Sequence, residues 1–196
     1  SLIENLKREL TGITGIEGPK VTTQFYGDGF ISGSTTAPTS KTVTINDEII
    51  TTLTFDLTNL SASGENGKII GNKEAAADFV APAHIMQYNT TEHGILYKIE
   101  MSCIEAPAGN GAFADFNLET DDAALEMGAD PGTNNVLILD AGGNTAKGTT
   151  KMSSAVGSPT SGQYIYLVNG AAGGATDNSQ YSAGKLIVRL YGIADF

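Results

Sequence analysis

The chain has no tryptophan, one cysteine and two histidines among its 196 residues. A single cysteine forbids an intrachain disulfide, so the fold must rest on its buried core. Charged side chains make up only 17% of the sequence, below the roughly 25% of an ordinary soluble domain. Basic residues are the scarcer kind, 11 against 22 acidic, for a net charge of −11. A surface of that sign repels a phosphate backbone and an anionic bilayer, which argues against nucleic-acid and membrane partners. Its first use is solubility, and its second an acidic patch that docks on a basic partner. Long apolar runs are missing too, since no stretch approaches the ~20 residues a membrane helix needs. The start of the chain lacks the basic head, apolar centre and small-residue cleavage site of a signal peptide, which predicts synthesis in a cytoplasm.

What is present is a polar surface of Thr, Ser, Asn and Gly around 40% hydrophobic residues. Thr favours strands, and Asn and Gly favour turns. The only clear helical period lies in residues 2–10, where Leu2, Ile3, Leu6 and Leu10 form an apolar stripe opposite Glu4, Lys7 and Arg8. So short a helix is marginal alone in water and needs a surface to lie on. Residues 11–19, with three glycines and Pro19, read as a connector. The chain thus divides into an N-terminal helical arm and connector (1–19) and a β-sandwich domain (20–196). The arm is expected to lie against another subunit through Leu2, Ile3, Leu6 and Leu10.

Beyond residue 20 the period is mostly two. Strands are predicted at 21–26, 42–45, 53–57, 95–103, 113–118, 136–139, 164–168 and 185–191, separated by Gly-rich connectors. In 95–103 the alternation sets Ile95, Tyr97, Ile99, Met101 and Cys103 on one face. The continuous apolar run 136–139 predicts a strand covered on both sides. Short helical turns are expected at 75–78 and 121–127. Many short strands with Gly-rich turns indicate an all-β fold, an antiparallel β-sandwich with jelly-roll-like character and a short N-terminal helix.

No catalytic, metal or cofactor motif emerges. His84 and His93 lack the close ligand spacing of a zinc site, His84 reading as half-buried and His93 as a hairpin tip. The loops holding Asp28, Asp121, Asp122, Asp130 and Asp140 raise the question of calcium, but none carries the alternating acid pattern ending in Glu. Asp beside Gly is ordinary turn chemistry. The Gly170-Ala171-Ala172-Gly173-Gly174 run lacks the Lys and following helix of a phosphate loop, and no Ser occupies a nucleophile elbow. Cys103, among apolar strand residues with no cationic neighbour in sequence, reads as an inert packing thiol. Tyr164 and Tyr166 share one strand face; they offer a small sugar platform or, on the favoured reading, a core or subunit-interface contact.

The segments Gly162-Gln163-Tyr164-Ile165-Tyr166-Leu167-Val168 and Tyr181-Ser182-Ala183-Gly184-Lys185-Leu186-Ile187-Val188-Arg189-Leu190-Tyr191-Gly192 have a strand texture that resembles the C-terminal strand pair of small virion structural proteins from marine tailed bacteriophages. The start, Leu6-Lys7-Arg8-Glu9-Leu10-Thr11-Gly12-Ile13, shares that look. The resemblance implies a non-enzymatic virion component of the capsid decoration or cement kind, assembled in the host cytoplasm. Its expected partners are the major capsid protein or other virion subunits. Copies of itself are expected too, as a cyclic homo-oligomer with a trimer first in line. The alternative expectation is a tail or fibre-associated module that recognises a glycan or host surface.

Overall fold

The structure, a computed structural model, describes residues 16–20, 26–31, 37–63, 65–72, 81–109, 115–132, 135–140, 142, 146–153, 157, 159–170 and 179–194. The expected arm with Leu2, Ile3, Leu6 and Leu10, most of the predicted strand 21–26, and the turn at 75–78 lie outside them.

Eleven strands are described: β1 (Ile16–Lys20), β2 (Thr39–Ile45), β3 (Glu48–Asp56), β4 (Ser61–Ala62), β5 (Met86–Gln87), β6 (Ile95–Gly109), β7 (Phe116–Asp121), β8 (Leu137–Asp140), β9 (Thr150–Ser153), β10 (Tyr164–Asn169) and β11 (Ser179–Ile193). One α-helical turn, α1 (Thr90–His93), precedes β6, and a 3-10 turn spans Asp28–Phe30. The strands form two antiparallel sheets. The larger runs β1-β2-β3-β11-β6-β9, with β4 joined to β11, and the smaller runs β5-β10-β7-β8. The fold is all-β, as the alternating pattern requires.

Between the sheets lies one core. Leu53 and Phe55 of β3, Ile99, Met101 and Cys103 of β6, and Leu186, Val188 and Leu190 of β11 share it with Phe116, Leu118, Ile138, Ile165 and Leu167 of the smaller sheet. β3 shows why: its residues alternate buried and half-buried along the whole strand, so every second side chain reaches the core. β2 and β3 are joined through Asn46 and Asp47, and Asn46 takes φ 54°, a left-handed conformation that Asn tolerates.

The smaller sheet is covered on its other face as well. Tyr166 and Val168 of β10 point away from the main core into a second cluster with Ile69, Ala83 and Met127. Loops supply that cover, and Tyr166 ties them down: its hydroxyl donates to Ala123 O at 2.6 Å and accepts from Leu125 N–H at 2.8 Å. Tyr164 packs partly buried beside them. Tyr166, expected to serve a core or an interface, is fully buried by its own chain and offers no surface to a partner.

Several local expectations are corrected. Ile16–Lys20, read as connector, pairs with β2 as a strand. Pro19 fits there because the ladder is irregular between Glu17 and Lys20 and β1 is an edge. The stretch 121–127 is not helical: Asp121 ends β7, and its carboxylate accepts from Ala123 N–H and Gly132 N–H, both at 2.7 Å. That side chain offers the backbone an alternative to a helix. Ile95 and Tyr97 lie on the outer face, not with Ile99, because the register slips by one residue between Leu96↔Gly192 and Lys98↔Tyr191. Such a bulge reverses the alternation. Leu137, expected to be covered, is 47% exposed.

The second cluster hangs on one hydroxyl. Tyr166→Phe leaves the carbonyl of exposed Ala123 and the amide of half-buried Leu125 without their partner and should cost about 0.5–1.5 kcal/mol in urea denaturation. Tyr97→Phe, on the open face, should cost less. Equal costs would mean that the Tyr166 hydroxyl does not hold the loops.

Candidate functional site

A cleft of about 410 Å³ lies at one flank, where β5, α1 and the turn before β10 meet β2. Its walls carry Ser40, His84, Gln87, Asn89, Glu92, His93 and Ser161. Backbone and amide bonds fix this wall. Gln87 Nε2 donates to Gly162 O at 2.9 Å, Gly162 N–H donates to Tyr88 O at 2.8 Å, and Thr90 N–H donates to Ser161 Oγ at 3.3 Å. Asn89 caps α1 by accepting from Thr91 N–H at 2.8 Å. α1 sits directly on β11: a Cβ at Gly192 would fall 2.0 Å from His93 O, so only glycine allows this approach.

The two histidines, separate in the sequence reading, line the same cleft. His93 is not an exposed hairpin tip but is buried. It stacks on Tyr88 with ring centres 6.2 Å apart, and its Nδ1 lies 3.0 Å from Thr51 Oγ1. Burial pulls its pKa down, while the neighbouring Glu92 carboxylate opposes that shift. His84 packs its ring against Tyr164 at 4.7 Å, and its buried Nδ1 has no hydrogen-bond partner. Burial pushes its pKa down to about 4, against the opposing pull of Asp28. Both imidazoles are therefore neutral near pH 7.

Thr51, His93 and Glu92 superficially form a hydroxyl–imidazole–carboxylate row. Glu92 Oε2 is 3.8 Å from Nε2, beyond a hydrogen bond, and the Thr51 hydroxyl is fully buried, where no substrate reaches it. The cleft can hold a polar molecule through hydroxyl and amide groups; it presents no accessible activated nucleophile. Among the described residues, no three His, Cys, Asp or Glu side chains gather closely enough to bind a metal ion. Of the acidic residues raised as calcium candidates, Asp121 and Asp140 accept from nearby amides (Asp140 from Gly142 N–H at 3.0 Å), Asp122 accepts from Gln163 Nε2 at 2.9 Å, and Asp130 pairs with Lys68 at 3.5 Å. Cys103 is buried, its thiol donates to Glu105 O at 3.3 Å, and burial raises its pKa. It is a packing residue.

Among the described residues, exposed apolar side chains gather at two further places. At the flank opposite the cleft, β8 and β9 lie against each other, each the last strand of its sheet. They expose Leu137 at 47% and Met152 at 61%. On the outer face of the larger sheet, Ile45, Ile95, Tyr97 and Ile193 are each 41–52% exposed around Glu48, which accepts from the Tyr97 hydroxyl. A polar ladder borders that face: Tyr191 donates to Glu100 at 2.7 Å, and Lys98 pairs with Glu100 at 3.0 Å while sitting 3.8 Å from the centre of the Tyr191 ring. The sequence reading missed this patch because the bulge that turns Tyr97 outward leaves no mark on the hydrophobic pattern.

The buried histidines make stability pH-dependent. His84 has a pKa near 4 in the folded chain against 6.5 in a free chain. The unfolded chain therefore takes up the proton first, and stability falls as pH drops from about 6.5 to about 4, then levels. His93 acts in the same direction. The urea midpoint should fall across this window, and less steeply in His84→Gln. Parallel profiles for the two proteins would mean that the His84 ring is solvated.

Comparison of the chain with known protein families, with curated proteins and with solved structures finds no match.

Proposed function

We propose that the protein is a non-enzymatic virion structural protein, a capsid decoration or cement protein that binds the capsid shell and copies of itself. The observation that supports it most is the β8–β9 flank. Among the described residues, neither strand has a hydrogen-bonded neighbour on its outer side. Such edges are ready to pair with another chain, and soluble proteins usually blunt them with charge or proline. Here Asp140 and Lys151 are the charges on the two strands, and Leu137 and Met152 stand exposed beside them. Edge strands in both sheets, each with an exposed apolar side chain, suit a flat, repeated contact between subunits. The net charge of −11 keeps the rest of the surface soluble and discourages nucleic-acid binding. The resemblance of the C-terminal strands to virion structural proteins supplies the setting, and threefold positions on an icosahedral shell make a trimer the first choice of ring.

A second reading, a tail or fibre module that recognises a glycan, draws on the cleft. Ser40, Gln87, Asn89 and Ser161 give it a wall of hydroxyls and amides suited to a hydroxyl-rich ligand. It has no exposed aromatic platform, since Tyr88 is buried, and so it stands behind the first.

Light scattering on the isolated protein at micromolar concentration should give a mass that is a multiple of 20.3 kDa. Leu137→Lys with Met152→Lys should reduce it to one protomer without changing the urea midpoint, because both side chains are exposed. A wild-type protein that stays at the protomer mass contradicts self-association through this flank.

A further inference from the structure

At the corner of the larger sheet where β2 turns into β3, Ile45, Asn46, Asp47, Glu48, Tyr97 and Ile193 line a hollow of about 510 Å³. The strand register builds it. Ile45 pairs with Glu48, Glu48 with Ile193, and Ile193 with Ile95, so one row crosses β2, β3, β11 and β6. Asn46 and Asp47 form the turn at the rim, both exposed. The bulge in β6 adds Tyr97, whose hydroxyl reaches past β11 to donate to Glu48 on β3. The hollow therefore joins two exposed isoleucines and a tyrosine ring to two carboxylates.

The neighbouring row shows what such a pairing takes. Tyr191 donates its hydroxyl to Glu100 at 2.7 Å, and Lys98 sets its ammonium 3.0 Å from the same carboxylate and 3.8 Å from the Tyr191 ring centre. A tyrosine tied to a carboxylate thus offers one cation both a negative oxygen and a ring face. Tyr97 and Glu48 repeat the pairing, with the two tyrosine ring centres 6.4 Å apart. Here the local charge is all negative, because Asp47 adds a second carboxylate. Among the described residues, no Lys, Arg or His side chain lies within ion-pair distance of Asp47 or Glu48.

We propose that this hollow is a docking site for a basic side chain, arginine ahead of lysine, presented by an exposed segment of a partner protein. The carbon stem lies along Ile45 and Ile193, as long cationic side chains cover apolar surface while their heads stay polar. The planar head stacks on Tyr97 and bonds to Glu48 and Asp47, a fit that favours the guanidinium fork over a point charge. A bare metal ion suits the site less well: two carboxylates are few for a hard cation that takes about six oxygens, and the isoleucines offer it nothing. The net charge of −11 draws a basic partner towards the chain and repels an acidic one. The site shares no residue with the β8–β9 flank, and the inference does not rest on the capsid reading.

NMR titration of the full-length protein tests it, with a capped pentapeptide of one central arginine between leucines and a twin carrying citrulline, the neutral isostere of arginine. The arginine peptide should shift the amide signals of Asp47, Glu48, Tyr97 and Ile193, and more weakly as salt is raised. The citrulline peptide should bind several-fold more weakly. Glu48→Gln, which keeps an acceptor for Tyr97, should weaken arginine binding several-fold. Asp130→Asn removes the same charge from the loops over the smaller sheet and should leave binding unchanged. Equal affinity for the two peptides in the wild type, or no shift at the four positions, overturns the proposal without recourse to a variant. Equal losses in Glu48→Gln and Asp130→Asn overturn it as well, since the protein then reads only net charge. Shifts at the four positions on raising the protein concentration alone would make the occupant a second copy, and would also overturn it.

Discussion

Leu186, Val188 and Leu190 of β11 share the main core with Leu53 and Phe55 on one side and with Ile99, Met101 and Cys103 on the other. With one cysteine in the chain, nothing covalent can replace that packing. β11 is also the strand on which the larger sheet is assembled: it pairs with β3 from Lys185 to Ile193, with β6 over a similar length, and with β4 near its start. The fold is therefore closed by its last strand, and the contacts that close it are far apart in sequence. Such a topology folds slowly compared with one built from local contacts.

Because the inner faces are committed to this core, the remaining surfaces divide by what lies over them. The smaller sheet is capped by its own loops through Tyr166, Val168, Ile69 and Met127. The larger sheet, among the described residues, is open on its outer face, and it combines a polar ladder with an apolar corner. Among the described residues, both sheets end in edge strands at one flank, while the opposite flank holds the polar cleft with its two neutral histidines. The described residues thus present exposed apolar side chains in two places and a polar cleft in a third.

Much of this was legible in the residues. The alternation of Leu53 and Phe55 gave β3 its buried face, Tyr164 to Val168 marked β10, and the lone Cys103 proved to be a packing thiol. Three kinds of information were hidden. A one-residue bulge at Tyr97 reversed the facing of the first part of β6, and no periodicity rule anticipates a bulge. The Tyr164/Tyr166 face pointed away from the main core, and sequence alone does not tell that loops from 81–85 and 122–132 fold over it. The cleft joins Ser40, His84, His93 and Ser161, which come from separate segments and meet only through sheet packing. Pairing across long sequence separations leaves no local trace, so sites built that way stay out of reach of patterns and spacing.

The central claim is that these surfaces serve a repeated contact on a particle. Quantitative mass spectrometry of purified virions tests it most directly, by the ratio of this chain to the shell protein. A ratio fixed by the shell lattice, approaching that of the capsid subunits themselves, is the result the account predicts. A ratio typical of a tail or fibre component would move the protein to the second reading, and its absence from purified particles would contradict the account.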